Sequence, residues 1–485
     1  MLHRYVTIAL IVICFCWAAE LTRGNENKPA TARPNFVFFI TDDISPEDLG
    51  VYGSQSILTP NLDEIARGGL VFENAYLTIS SCSPSRCSII TGRYPHNTGA
   101  PELHTSLPTD QTTFIERLRE AGYHTVISGK NHMGKPDDLG FDVASDSKPS
   151  GSENWVKHLQ DRPQDQPFFC WFASHDAHHP FTISDEAPIY APESVVVPAM
   201  LFDGPETRRE LAAYAHEVSR TDHYAREVMN ELARQEIVDN TYFVYCSDNG
   251  RPFPRCKTYL YDSGVRTPLI ITGPGVTPGR TNSLVSSIDF SATFLELAGI
   301  EKLDSIQGQS FVPILDDPQA TTRDVVFCER NWHVFSNHER AVRWGKWLYI
   351  WNAWPEQHNV SGESAWFKFG AARELWEAAE AGQLSDAQML LTKVPQPREL
   401  LFDVEADPDQ LVNLATADAS APVLEQAREL LERWREETGD SVPQSPTPDR
   451  RGLHEPIEKD HPRGDFPGAK RGASTINAPG PIRID

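Results

Sequence analysis

PNFVFFITDD, residues 34–43, is an apolar run that ends in two carboxylates, and its reading decides the fold. No polar residue interrupts Phe36 to Ile40. An unbroken apolar run of this length, bounded by a proline and an acidic pair, is the pattern of a strand buried on both faces, which belongs in a mainly parallel sheet covered by helices. Runs of the same kind recur at HTVISGK (124–130), PFFCWFASHD (167–176), TYFVYCSDNG (241–250) and PLIITGPG (268–275). Helical periodicity fills the intervals, in NLDEIARGG (61–69), QTTFIERLREAG (111–122), the long segment 206–235, and IDFSATFLELAG (288–299). The alternation predicts an α/β domain over residues 34–320.

Past residue 320 the pattern changes. DVVFCER, RAVRWGKWLYIWN and ELLFDVEADPDQLVNLA read as short strands, and APVLEQARELLERWREETG as a helix. Together they predict a smaller α+β subdomain with an antiparallel sheet over residues 321–440. Residues 441–485 are rich in proline and glycine without apolar periodicity, which predicts an extended or disordered tail. There are no internal repeats.

At the other end, His3 and Arg4 precede the short apolar run TIALIVICFCWAA and a polar stretch. This is the pattern of a cleavable signal peptide, residues 1–24, and predicts a secreted or periplasmic protein without stable membrane insertion. In an oxidising compartment, the six cysteines beyond it are too few for a disulfide framework, and none has zinc-site spacing. The formal net charge of −24 excludes nucleic acid as a partner, because phosphate binding needs a basic surface.

Several polar clusters follow the strands, where ligands bind in open α/β sheets. Asp42 and Asp43 end the first run, and Asp248 and Asn249 end TYFVYCSDNG. Their hard oxygen donors suit Ca²⁺ or Mg²⁺. Lys130 and His132 stand in VISGKNHMG, His175, His178 and His179 in SHDAHHPF, and Lys257 in RPFPRCKTYLY. Taken singly, each also reads as a turn, a cap or a surface residue. In SSCSPSRCSIITGRYP, residues 80–95, Cys82 reads as half a disulfide, a metal ligand, or the precursor of a nucleophile.

The run Cys82-Ser83-Pro84-Ser85-Arg86, with Thr91-Gly92 five residues on, resembles the signature of the type I sulfatases. SSCSPSRCSIITG, SHDAHH, DNGRPFPRCKTYLY and LFDVEADPDQLVNLA are similar to runs of the heparan N-sulfatases within that family. The resemblance implies an alkaline-phosphatase-like fold and a hydrolase that removes sulfate from a sulfated saccharide. It also implies that Cys82 is oxidised to Cα-formylglycine by a formylglycine-generating or sulfatase-maturating enzyme. One Ca²⁺ would be held by Asp42, Asp43, Asp248, Asn249 and position 82. The hydrated aldehyde would attack sulfur with one hydroxyl and expel sulfate with the help of the other, a route closed to serine.

By the same resemblance Arg86 holds the diol, His132 accepts its proton, Lys130 and Lys257 clamp sulfate, and His175, ahead of His178, protonates the leaving group. Around the rim, Glu102, His104, Glu329, Arg330, His333, His338 and Arg340 are candidate sugar contacts, each also readable as a solvated loop residue. A terminal N-sulfoglucosamine is the leading substrate. The alternatives are O-sulfated algal polysaccharide, a phosphatase or phosphodiesterase of the same superfamily, and a sugar-binding relative without turnover.

Overall fold

In the computed structural model, residues 33–455 and 461–484 are described; the signal-peptide reading lies outside them. Fourteen strands follow in chain order: β1 (Asn35–Thr41), β2 (Leu70–Phe72), β3 (Ala75–Tyr76), β4 (His124–Gly129), β5 (Val143–Ser145), β6 (Phe168–Ala173), β7 (Thr241–Ser247), β8 (Leu269–Thr272), β9 (Gly279–Thr281), β10 (Val285–Ser286), β11 (Val325–Arg330), β12 (Glu339–Trp344), β13 (Trp347–Asn352) and β14 (Glu399–Asp403). The main sheet has the order β5-β4-β6-β1-β7-β8-β2-β9. Its centre is parallel, and only β8 runs against its neighbours.

β1 shows why an unbroken apolar run was required. Phe36, Phe38 and Ile40 enter one core with Ile89, Phe114 and Phe294. Val37 and Phe39, pointing the other way, enter a second core with Trp155, Val218 and Phe243. Each such side chain contributes roughly 1.5–3 kcal/mol by leaving water. The helices Cys82–Thr91, Phe114–Glu120 and Asp289–Leu297 supply the first face, and Pro60–Arg67, Trp155–Asp161 and Pro205–Arg234 the second.

The strands β11-β12-β13-β14 form the expected antiparallel sheet. Its side chains also alternate. Val326 and Cys328 pack with Tyr76 and Tyr259 of the larger part, whereas Val325 and Phe327 pack under the helix Ala421–Thr438 through Leu431 and Trp434. Arg33–Asp485 is one compact unit.

Among the described residues beyond 440 there is no α-helix or strand, and the chain runs as an extended strap tied to the larger part by side chains. Arg93 donates to Asn477 Oδ1 at 2.7 Å and to the carbonyls of Ser474 and Ile476 at 3.1 and 3.0 Å. Asn97 donates to Ala473 O at 2.7 Å and Gln307 to Ala478 O at 2.8 Å. Buried side-chain donors, not apolar periodicity, hold this strap.

Candidate active site

The parallel pairing of β1 and β7 sets Thr41 opposite Ser247, so the next residues, Asp42 and Asp248, leave the sheet side by side. Asp248 N donates to Thr41 O at 3.1 Å. Asp43 turns back toward the same point in the left-handed region (φ 63°), a conformation that aspartate tolerates better than most residues. Cys82 opens the helix Cys82–Thr91 and meets this strand end, its Sγ 3.7 Å from Asp42 Oδ1. Donor atoms of Asp42, Asp43, Cys82 and Asp248 lie within 4.8 Å of one another, all buried.

One helical turn on, Arg86 reaches the same cluster. Its Nε donates to Asp248 Oδ2 and its Nη1 to Lys130 O, both at 2.8 Å. β4 ends in Gly129, whose φ of 94° turns the chain so that Lys130 Nζ pairs with Asp42. Lys257 Nζ pairs with Asp43 Oδ2 at 2.7 Å. Asn249 donates to Asp43, while its Oδ1 is buried with no hydrogen-bond partner.

This donor set fits a hard divalent cation: three carboxylates and an orphaned amide oxygen converge with no soft ligand but Cys82. Burial pushes the Asp42 carboxyl up, but Lys130, His178, Lys257 and Arg86 outweigh it and hold it well below the carboxylate range. For Asp43 burial wins over Lys257, and the carboxyl is raised. Burial also pushes the Cys82 thiol up to about 12, so the unmodified thiol is not ionised at neutral pH. Cys82 is in no disulfide; the six described cysteines are free.

A cleft of about 940 Å³ opens over Asp42, Lys130, His132, His175 and His178. His132 Nε2 lies 2.6 Å from His104 Nδ1. Burial and the neighbouring cations lower His104 to about 4 and His132 to about 2, so both rings are neutral at pH 7. His178 is lowered well below its ordinary value by burial and Lys257, and its charge would act directly on Asp42. His175, by contrast, is turned to the flank, with Nε2 2.8 Å from Asp146 Oδ1 and 3.0 Å from Lys148 Nζ. Both histidines line the cleft, but it is His178 whose charge bears on Asp42.

Of the rim candidates, His333 and His104 face the site. His333 Nδ1 lies 2.7 Å from Ser81 Oγ, next to Cys82, and burial with Lys257, His104 and His178 nearby keeps it neutral. The others are corrected. Glu329 is fully buried between His96 Nδ1 (2.6 Å) and Arg340, and Arg340 pairs with Asp440 at 2.7 Å. Arg330 is spent on Glu339 (3.0 Å), Val360 O and the Tyr259 ring. His338 is buried beside Trp351 and Trp354. Glu102 accepts from Thr447 Oγ1 at 2.7 Å and Arg463 Nη1 at 3.2 Å, inside a wall of the site. Polar residues in a short strand or loop read as exposed, and nothing local announces a distant partner. Trp332, which packs with Leu103 against Cys82, was not singled out from sequence; its only signal is its place beside His333.

A second hollow, about 350 Å³, lies over Asp48 and Arg251, but these are already paired at 3.0 Å.

The parallel sheet with acidic strand ends and a cysteine-headed helix defines a hydrolase of the sulfatase type. The chain belongs to the sulfatase family: residues 34–300 match that family's model, and residues 255–347 match the model of the N-sulphoglucosamine sulphohydrolase C-terminal region. It is accordingly an enzyme that hydrolyses sulfate esters or sulfamates. Among its relatives is an ulvan-active sulfatase of Formosa agariphila, 27% identical, with 90% of this chain and 82% of the relative aligned. Human N-sulphoglucosamine sulphohydrolase is 29% identical over 84% of this chain and 91% of its own. A solved structure in complex with its substrate D-glucosamine-2-N,6-O-disulfate shares the fold with a TM-score of 0.65 at 20% identity, covering 83% of this chain and 98% of that one.

Proposed function

We propose that the protein removes sulfate from a terminal sulfated sugar, with the sulfamate of N-sulfoglucosamine as leading substrate, using formylglycine made from Cys82 and one Ca²⁺. The observation that carries this reading is the convergence of Asp42, Asp43, Asp248 and Cys82 at one buried point. The 255–347 match and the 29% identical human relative support the choice of N-sulfoglucosamine. The ulvan-active relative supports the second reading, an O-sulfatase of algal polysaccharide.

Asp42, Asp43, Asp248 and Asn249 would hold the cation, which supplies charge neutralisation for a sulfate oxygen. Hydrated formylglycine supplies a nucleophilic hydroxyl and a second one through which sulfate can be expelled. Arg86, fixed by Asp248 and Lys130 O, keeps Nη2 free for an oxygen at position 82. Lys130 and Lys257, already drawn in by Asp42 and Asp43, lie where they can exchange a carboxylate oxygen for a sulfate oxygen. His132 Nδ1, unpartnered, is the lone pair open to a proton, and bound sulfate would have to offset the burial and the Lys130 charge that lower this ring to about 2 before it is taken up. His178, beside Asp42, takes the leaving-group role ahead of His175; with Nδ1 against His179 O, its Nε2 can donate to the departing nitrogen or oxygen only once the negative charge of bound sulfate has drawn a proton onto the ring.

A cleavable leader, and hence an exported enzyme matured by a formylglycine-generating or sulfatase-maturating enzyme, completes the proposal. Among the described residues no helix is long and apolar enough to cross a membrane. The test is sulfate release from N-sulfoglucosamine, 6-O-sulfated glucosamine and ulvan oligosaccharides side by side. Release from the first supports the reading; release confined to the O-sulfated sugars replaces it with the second.

A further inference from the structure

The wall opposite the metal-site carboxylates is made from three segments and locked from outside by a fourth. Cys82 packs against Leu103 and Trp332. Leu103 N donates to Trp332 O, and His104 N donates to Ser83 Oγ at 2.8 Å. The strap then closes over this wall. Trp332 Nε1 donates to Pro448 O at 2.7 Å, and the Arg463 guanidinium lies 4.4 Å over the Trp332 ring. Arg463 also donates to Leu103 O and to Glu102 Oε2, and Thr447 Oγ1 gives Glu102 its second bond. Gly464 N closes the knot on Thr447 Oγ1 at 2.9 Å.

The knot holds a pair of left-handed residues. His104 and His132 both have positive φ, 63° and 60°, a conformation that histidine, like aspartate, tolerates better than most residues, and their rings meet at 2.6 Å. One proton is shared across that contact and either nitrogen can carry it, so the tautomers of the two rings are coupled. When His132 Nε2–H donates to His104 Nδ1, His132 Nδ1 keeps its lone pair, and this is the buried nitrogen that has no partner. A ring free to turn would lose that coupling.

We propose that the C-terminal strap, through Thr447 and Arg463 on Glu102, is a positioning element of the active site: it fixes the turn that carries His104, and His104 fixes the orientation of His132 and couples its tautomer to its own. The inference rests on the reading of His132 as proton acceptor, and explains why Glu102 and His104, which look like rim residues in the sequence, sit where they do. Arg463 is a positioning residue that touches no substrate.

The test uses the full-length, formylglycine-containing enzyme, with the converted fraction of every variant measured by mass spectrometry. Arg463→Ala is expected to lower kcat for N-sulfoglucosamine about tenfold with KM within about threefold, and Arg463→Lys to recover much of the loss. His104→Leu is expected to lower kcat similarly, and adding Arg463→Ala to it to cost less than about twofold more, because both act through one path. Carbethoxylation of His132 by diethyl pyrocarbonate, read by peptide mapping, should be slow in wild type and faster in Arg463→Ala and His104→Leu.

An Arg463→Ala enzyme with wild-type kcat and equally protected His132 overturns the proposal. A loss confined to KM overturns it as well, by making the strap a substrate contact, as does a double variant whose losses multiply. If the wild type releases no sulfate from N-sulfoglucosamine, the functional reading fails on its own, and the carbethoxylation rates still decide whether the strap orders His132.

Discussion

Asp248 is held on one side by Arg86 and on the other by the end of β1, and burial raises its carboxyl against the pull of Arg86. Its removal deletes a cation ligand and leaves a buried guanidinium without its carboxylate. Asp248→Ala is therefore expected to lower sulfate release about a hundredfold or more, and added Ca²⁺ should restore chelated wild type but not the variant. Full activity of thoroughly chelated wild type would remove calcium from the account. His338 gives a different single-residue prediction. Its ring is buried with both nitrogens unpartnered, and burial with Arg340 nearby holds it well below its ordinary value. The folded state thus refuses a proton that the unfolded state accepts, so its contribution is complete above about pH 6.5 and is lost on acidification below it. His338→Phe should make stability fall less steeply below that pH, by up to about 1.4 kcal/mol per pH unit, in urea titrations at pH 7 and 5. Equal slopes would show that the ring is hydrated.

At the scale of elements, the ends of the central strands carry the chemistry, so their geometry is testable through glycine. Gly129 ends β4 with φ 94°, and a Cβ there would lie 1.9 Å from Ala173 O, the carbonyl that accepts from Lys130 N. Gly122, with φ 91°, has nothing within 4 Å. Gly122→Ala is expected to cost about 1–2 kcal/mol with activity kept, while Gly129→Ala should cost more and also displace Lys130 from Asp42. Equal costs with equal activity would contradict the placement of β4. The long central strands were legible because both faces are buried, which forces the unbroken apolar runs of β1, β6 and β7. The short edge strands β5 and β9 carry no such demand and left no pattern, and β2, though buried, is only three residues long. Glu329, Arg330 and Arg340 misled for the converse reason: a strand buried on both sides can accept charged residues when each is paired, as Arg340 is with Asp440, and sequence does not show pairing over a hundred positions. Asp42, Asp43, Asp248 and Asn249 were legible because strand ends of a parallel sheet converge by topology. The pairing of His175 with Asp146 was not, because it depends on how the loop after β6 turns.

Over the whole molecule, the strap joins both ends of the fold without any apolar pattern to announce it. Arg93 is its anchor: burial lowers it to about 10, and Ser474, Ile476 and Asn477 take most of its donors. A chain ending at Asp440 would leave this guanidinium, Asn97 and Glu102 without those partners. It is expected to lose several kcal/mol and its activity together, measured by thermal melting and sulfate release; a truncated chain that melts like the full one would contradict the strap's role. The net charge of −24 suits a pocket that admits one end of a sulfated chain, although local cations act within a screening length of about 8 Å regardless of the distant surface. The central claim is that turnover belongs to the oxidised form of Cys82. Its most direct measurement is the rate of sulfate release, over the panel of sulfated sugars, plotted against the fraction of formylglycine at position 82 in preparations made with and without a maturating enzyme. The account requires a straight line through the origin, with Cys82→Ser and Cys82→Ala on the baseline; steady turnover by unconverted protein, or by the folded serine variant, would contradict it.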